Sequence, residues 1–226
     1  MTTYKISPSD LTFLWDECKR CFYLKVKYDF RRPAAPFPKI FGDLDRQMKE
    51  YCYEKPLSAL APELGEGKVI MAEKWVQSEP IRLSETGVVS AYITGKFDTA
   101  VQFASDNSYG IIDFKTSKAK LEHVGFYSRQ LRAYAYALEH PAPGKLRLSP
   151  ITRLGLLVFE PSSLSGEDDS IFYHGKLIWQ EITLDDVAFL GFLDEVFSLL
   201  AQPIIPDAGV ECAYCAYREQ ARHTGL

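Results

Sequence analysis

The sequence has no apolar run approaching the ~20 residues that a membrane-spanning helix needs. Its first residues, MTTYKISPSD, carry neither the basic opening nor the apolar segment of a secretory signal. These two absences argue against a helical membrane protein and set the expectation of a cytoplasmic one. There is no internal repeat and no low-complexity tract, which sets aside solenoids and compositionally disordered tails. A basic balance is also missing: 26 Lys+Arg stand against 30 Asp+Glu, a formal net charge of −4. The overall positive footprint usual in nucleic-acid binders is therefore absent, although local fields count for more than totals.

What is present is enough to fold. With 226 residues, 46% of them hydrophobic, the chain can bury a full core, and one domain over 1–226 is the default for this length. Ser7 and Pro8 mark a helix start, after which Leu11, Leu14, Trp15, Cys18 and Phe22 fall on one helical face. The proline-rich stretch from Arg31 to Pro38 reads as an extended loop, and a second helix is expected over Phe41–Tyr53. Strands are expected at Val69–Val76, Val88–Phe103 and Tyr109–Lys115, the last two joined by the turn cluster Ser105–Ser108. Leu121–Glu139 reads as a helix stopped by Pro141, Pro143 and Gly144. Ile151–Glu160 reads as a buried central strand, Pro161–Asp169 as a polar loop and Lys176–Ile182 as a further strand. Thr183 is placed to cap a last long helix reaching about Leu200. The pattern divides into a helical part (1–66), a sheet core with an inserted helix (67–183) and a C-terminal helix with a cysteine tail (184–226), which makes a mixed α/β fold.

The chemistry concentrates between Gly95 and Tyr134. Strand alternation puts Asp113 and Lys115 on one face, and helical spacing puts Gln130 and Tyr134 one turn apart on another. A hairpin between the two strands would bring Asp98 beside Asp113. Two carboxylates and one ammonium would then surround one point, where a divalent cation and a water could sit. An acid inside a run as apolar as Tyr109–Phe114 calls for a partner.

These residues resemble the PD-(D/E)XK nuclease superfamily in its RecB-type branch. Asp98 in GKFD matches the first acid, Asp113 and Lys115 in IIDFKTS match the second acid and the lysine, and Gln130 and Tyr134 in QLRAY match the helix motif that follows. The resemblance implies a restriction-endonuclease-like core, with a mixed central sheet flanked by helices. It also implies Mg²⁺- or Mn²⁺-dependent hydrolysis of DNA by an exonuclease or end-trimming enzyme, the substrate having single-stranded ends or flaps. Asp98 and Asp113 would hold the metal and Lys115 would orient the attacking water. Gln130 and Tyr134 would shape the site, and Lys118, Arg129 and Arg132 could meet phosphates. The sequence departs from the branch at one place: Gly42 is followed four residues later by Arg46, where a metal-binding histidine is usual. A guanidinium has no free lone pair for a metal, which leaves Asp45, Gln47 or Glu50 as alternatives.

The five cysteines are Cys18, Cys21, Cys52, Cys212 and Cys215, and four of them form C-x-x-C pairs near opposite ends of the chain. In a cytoplasmic setting such spacing argues for metal binding or redox chemistry rather than structural disulfides. Four soft ligands suit zinc or an iron–sulfur cluster. A subset of RecB-type nucleases, among them a CRISPR-associated exonuclease family, carries such a cluster. That likeness implies [4Fe–4S] on Cys18, Cys21, Cys212 and Cys215, with Zn²⁺ as the alternative. Their layout is one cysteine near the start and three near the end, whereas this chain has two and two. Cys52 reads as core and His223 as tail. Two other readings stand beside the nuclease: a nucleic-acid- or protein-binding module with little cleavage, and a subunit of a CRISPR-adaptation or DNA-repair complex that trims ends only with its protein partners.

Overall fold

The computed structural model describes residues 2–34, 36, 38–53, 55–82 and 89–224. Ala35, Phe37 and Val88, which the sequence assigns to a loop and a strand start, lie outside the described residues. The chain opens with strand β1 (Thr2–Ile6), a π-helical turn (Asp10–Leu14), the short α1 (Trp15–Glu17) and α2 (Lys19–Tyr28). Next come α3 (Lys39–Tyr53), α4 (Leu57–Leu60) and a 3-10 turn (Pro62–Leu64). Strands β2 (Gly67–Gln77), β3 (Val89–Phe103) and β4 (Tyr109–Thr116) follow, then α5 (Leu121–Glu139). Strands β5 (Ile151–Glu167) and β6 (Ser170–Ile182), then α6 (Asp186–Ala201) and α7 (Ala213–His223), complete the order.

The strands form one mixed six-stranded sheet in the order β1-β3-β4-β5-β6, with β2 also along β3. β3 is long enough to pair twice: Val89–Ile93 run parallel to β1, and Thr94–Phe103 antiparallel to β2. β4 is antiparallel to β3 and parallel to β5, so α5 is the crossover that a parallel pair requires. Two apolar layers cover the sheet. On one side Leu131, Ala135 and Leu138 of α5 and Leu193, Phe197 and Leu200 of α6 pack with Ile111, Leu154 and Leu156. On the other, Cys52 of α3 and Leu57 and Leu60 of α4 pack with Ile112, Phe114 and Leu157. Alternation along β4 therefore sends Ile112 and Phe114 toward α3 and Asp113 toward α5. Among the described residues no helix is long and apolar enough to cross a membrane.

Four local expectations are corrected. β1 has no sequence signal of its own; it is a short strand held to β3, with Thr3 Oγ1 and Ser90 Oγ 2.7 Å apart. The first helix does not run through Cys18, whose backbone is extended (φ −163°, ψ 108°) and starts α2 anew. The stretch 161–169 is not a polar loop but the distal half of the β5–β6 hairpin, turned at Asp168 in the left-handed region (φ 48°). That arm is exposed on both faces, so its strands lack the buried alternation from which a sequence reveals a strand. Helix α6 is capped by Asp185, whose Oδ1 accepts from Ala188 N at 2.8 Å, and not by Thr183.

Candidate active site

The β3–β4 ladder ends at Thr99 and Ile112, and Asp98 and Asp113 are the next residue on each strand. There the Asp98 side chain substitutes for a ladder bond: its Oδ2 accepts from Phe114 N at 3.1 Å. Asp113 is buried, at 4% exposure, and its Oδ1 accepts from Gln130 Nε2 at 3.4 Å while Oδ2 forms an ion pair with Lys115. The Lys115 ammonium also lies 4.5 Å from the centre of the Tyr127 ring. Tyr134, one turn beyond Gln130, donates to the Lys96 carbonyl at 2.9 Å and so pins α5 to β3. Asp98, Asp113, Lys115 and Gln130 thus form one contiguous group, with Tyr134 beside it.

Burial governs the electrostatics. It pushes Asp113 up to about 6 against the pull of Lys115, with Asp98 adding to the rise. Burial acts to lower Lys115, but Asp113 overrides it and holds the ammonium above its ordinary value. Tyr134 is pushed far up, by burial first and then by Asp113 and Asp98, so its phenol keeps its proton and serves as a donor.

Three further residues join from elements the motif does not include. Lys49 on α3 donates to Asp98 Oδ1 at 3.0 Å, to Asp45 Oδ2 at 2.7 Å and to Glu73 Oε1 at 2.5 Å. Glu73 lies on β2 between Ala72 and Lys74, which pair with Thr99 and Phe97, so it stands across from Asp98; it is also ion-paired with Lys96. Its backbone is left-handed (φ 56°), a conformation that costs a glutamate free energy and tends to gather at functional sites. Burial acts to lower Lys49, but Asp98 and Asp45 hold it above its ordinary value. Asp45, Lys49 and Glu73 line a cleft of about 520 Å³ between α3 and β2. Lys49 and Glu73 left no stronger sequence signal than the four-residue spacing of Asp45 and Lys49. Among the alternatives to a histidine on α3, Asp45 is the one that reaches this group. Arg46 pairs with Asp43 and Glu50 in the exposed part of the helix, and Gln47 faces a different cleft.

The predicted phosphate contacts separate. Lys118 is exposed just past β4. Arg129 turns to Asp16, at 2.6 Å, and stacks on Phe192, away from the carboxylates. Arg132 is corrected: it is 5% exposed and ion-paired with Asp186 of α6, which makes it a helix–helix tie and not a surface contact.

The paired cysteines meet although the chain separates them by more than 190 residues. Cys18, Cys21, Cys212 and Cys215 are all buried, and their sulfurs all lie within 4.8 Å of one another. Cys52 sits apart in the second apolar layer, its thiol pushed up to about 12 by burial. His223 is exposed near Glu219 and takes no part.

Both groups have the donors a cation needs. Asp98 and Asp113 offer hard oxygen ligands, and Asp113 Oδ2 is buried with no hydrogen bond beyond its ion pair. The thiols offer a closed soft set.

Residues 53–220 match the family model of the PD-(D/E)XK nuclease superfamily. A solved structure, "Crystal structure of SSO0001", is similar at 15% identity over 95% of this chain and 84% of that one, with a TM-score of 0.48. No curated protein sequence matches.

Lys49 gives a test of this geometry. Replacing it with methionine leaves three carboxylates facing one another without their shared ammonium. Lys49→Met is expected to lower the melting temperature of the metal-free protein. The same variant is expected to tighten Mn²⁺ binding, read by calorimetry, by about tenfold or more, since a positive charge a few ångströms away opposes a dication strongly even at an effective dielectric near 20.

Proposed function

This chain belongs to the PD-(D/E)XK nuclease superfamily, and from that membership we propose that it is a metal-dependent deoxyribonuclease of the RecB-type branch that trims DNA ends. The observation that carries this reading is the convergence of Asp98, Asp113 and Lys115, contributed by adjoining strands, with Gln130 holding the buried carboxylate. Mg²⁺ or Mn²⁺, when bound, supplies an acidified water and a Lewis acid for the phosphate. Asp98 and Asp113 would hold it, and Asp45 and Glu73, joined to Asp98 through Lys49, are carboxylates in reserve. Lys115, held charged by Asp113, orients the water and faces the negative charge that builds on the phosphate. Gln130 fixes which way Asp113 points, and Tyr134 fixes the distance between α5 and β3. The same reading takes residues 1–226 as one nuclease domain, with a soft metal on Cys18, Cys21, Cys212 and Cys215 joining its ends.

A preference for single strands has its own support. A cleft of about 580 Å³ adjoins the site, lined by Lys5, Trp75, Lys96 and Tyr134 and by two ion pairs, Lys25 with Asp10 and Arg31 with Asp29. Trp75 is 67% exposed and pairs in register with Lys96. An indole presented to water suits stacking on an unpaired base, and such stacking is worth roughly 1–3 kcal/mol per base.

Two measurements test the reading. Lys115→Ala should keep the circular dichroism of the parent while Mn²⁺-dependent cleavage of an end-labelled oligonucleotide falls at least about a hundredfold, the lower end of what proton-transfer catalysis contributes; undiminished cleavage would remove the assignment. Trp75→Ala, assayed by fluorescence anisotropy with Ca²⁺ in place of Mn²⁺, should weaken binding of a single-stranded oligonucleotide by roughly fivefold or more and leave duplex binding unchanged. Equal losses on both substrates would end the single-strand reading and leave the nuclease assignment standing.

A further inference from the structure

The four cysteines pose a question of size that chemistry alone leaves open, because thiolates accept both a lone zinc ion and an iron–sulfur cluster. The sulfur positions answer it. Cys18 Sγ is 3.8 Å from Cys215 Sγ, and Cys21 Sγ is 3.7 Å from Cys212 Sγ and 3.6 Å from Cys215 Sγ. No pair among the four exceeds 4.8 Å. A tetrahedral ion with Zn–S bonds of about 2.3 Å sets neighbouring sulfurs about 3.8 Å apart. In a [4Fe–4S] cluster each thiolate binds a different iron, so the four sulfurs stand around the outside of an eight-atom body and must spread well beyond that spacing. A disulfide would bring two sulfurs to about 2.0 Å and single out one partner. Here Cys21 is nearly equidistant from two.

We propose that Cys18, Cys21, Cys212 and Cys215 hold one tetrahedral zinc ion as a structural staple, in place of the cluster that the family resemblance implies. This deepens the reading of the cysteines as a soft-metal set and rests on it, but it does not rest on the nuclease assignment.

The surroundings fit a compact, doubly negative tetrathiolate centre. Gly209 N donates to Cys18 Sγ at 3.2 Å, and Arg32 Nη2 donates to Cys212 Sγ at 3.3 Å. Arg32 is itself fixed by Glu17 at 2.6 Å and by the Tyr214 ring, so its charge is aimed and not merely nearby. Such outer partners orient thiolate ligands and offset their charge. The approach of Gly209 is tight: a Cβ there would lie 2.4 Å from the Glu17 carbonyl oxygen and 3.3 Å from Cys18 Cα. Only glycine lets the C-terminal segment lie close enough to donate that bond. All four ligands are protein sulfurs and all are buried, which leaves no position open to substrate and makes the site structural. The two-and-two arrangement of C-x-x-C pairs is also the ligand spacing that structural zinc prefers.

The test is metal analysis and optical spectroscopy on full-length protein purified without oxygen. One zinc per chain, no stoichiometric iron and a colourless solution are expected. Exchange with Co²⁺ should then give the visible d–d and charge-transfer bands of a tetrahedral thiolate site. Cys21→Ser should lower the retained zinc, Cys52→Ser should leave it at one per chain, and Gly209→Ala should release zinc to a chelator at least several-fold faster. Should the cysteine variants fail to fold, the parent's metal content and cobalt spectrum decide by themselves. Four iron with acid-labile sulfide and broad visible absorption would overturn the zinc assignment and keep the soft-metal reading. Neither metal, with no cobalt bands, would remove both. Nuclease activity is not consulted in any arm.

Discussion

Charge neutralisation where β3 and β4 part is the constraint that the rest of the molecule serves. The antiparallel register sets Asp98 opposite Asp113 at the point where the ladder ends, and Asp113 is buried. A carboxylate there is costly unless something cationic answers it. Lys115 answers from the same strand and Lys49 from α3, with Asp45 and Glu73 drawn in by Lys49. The helices on the two sides of the sheet therefore have electrostatic as well as apolar reasons to sit where they do. α5 brings Gln130 to Asp113, and α3 brings Lys49 to Asp98.

That arrangement explains which parts of the site were legible in the sequence. Asp113, Lys115, Gln130 and Tyr134 sit within a strand and the helix that follows it, where alternation and the helical turn fix relative directions. Asp98 needed only a hairpin, and the turn at Ser105–Ser108 announced one. Lys49 and Glu73 come from elements whose approach depends on tertiary packing. In sequence, Lys49 looks like a member of a surface ion pair with Asp45, and Glu73 like a polar residue on a half-exposed strand. Arg132 failed in the opposite direction: its place beside Arg129 suggested a basic face, but α6 covers it and Asp186 claims it. Charge in a sequence shows that a partner is needed, and packing decides which one.

The same division runs through the fold. The boundaries of α5 fell where the prolines and the apolar period placed them, and the buried half of β5 was evident from its unbroken apolar run. The distal hairpin arm was missed because both of its faces meet water, so no residue pattern distinguishes strand from loop there. The interruption at Cys18 has no local marker in the sequence, and the group that meets its sulfur, Gly209 N, lies 191 residues away. Local periodicity cannot register such a contact.

The cysteine joint has a consequence for the order of events during synthesis. Cys21 precedes Cys212 by 191 residues, so Cys18 and Cys21 emerge from the ribosome long before their counterparts exist. Domains tend to fold from the N-terminus as they emerge, at about 5–20 residues per second. For this chain the opening helices must wait ten seconds or more, by that same rate, before the sulfurs can be matched. The nascent chain therefore carries an open pair of thiols while the residues between Cys21 and Cys212 are made, and the joint closes only once Cys215 has emerged.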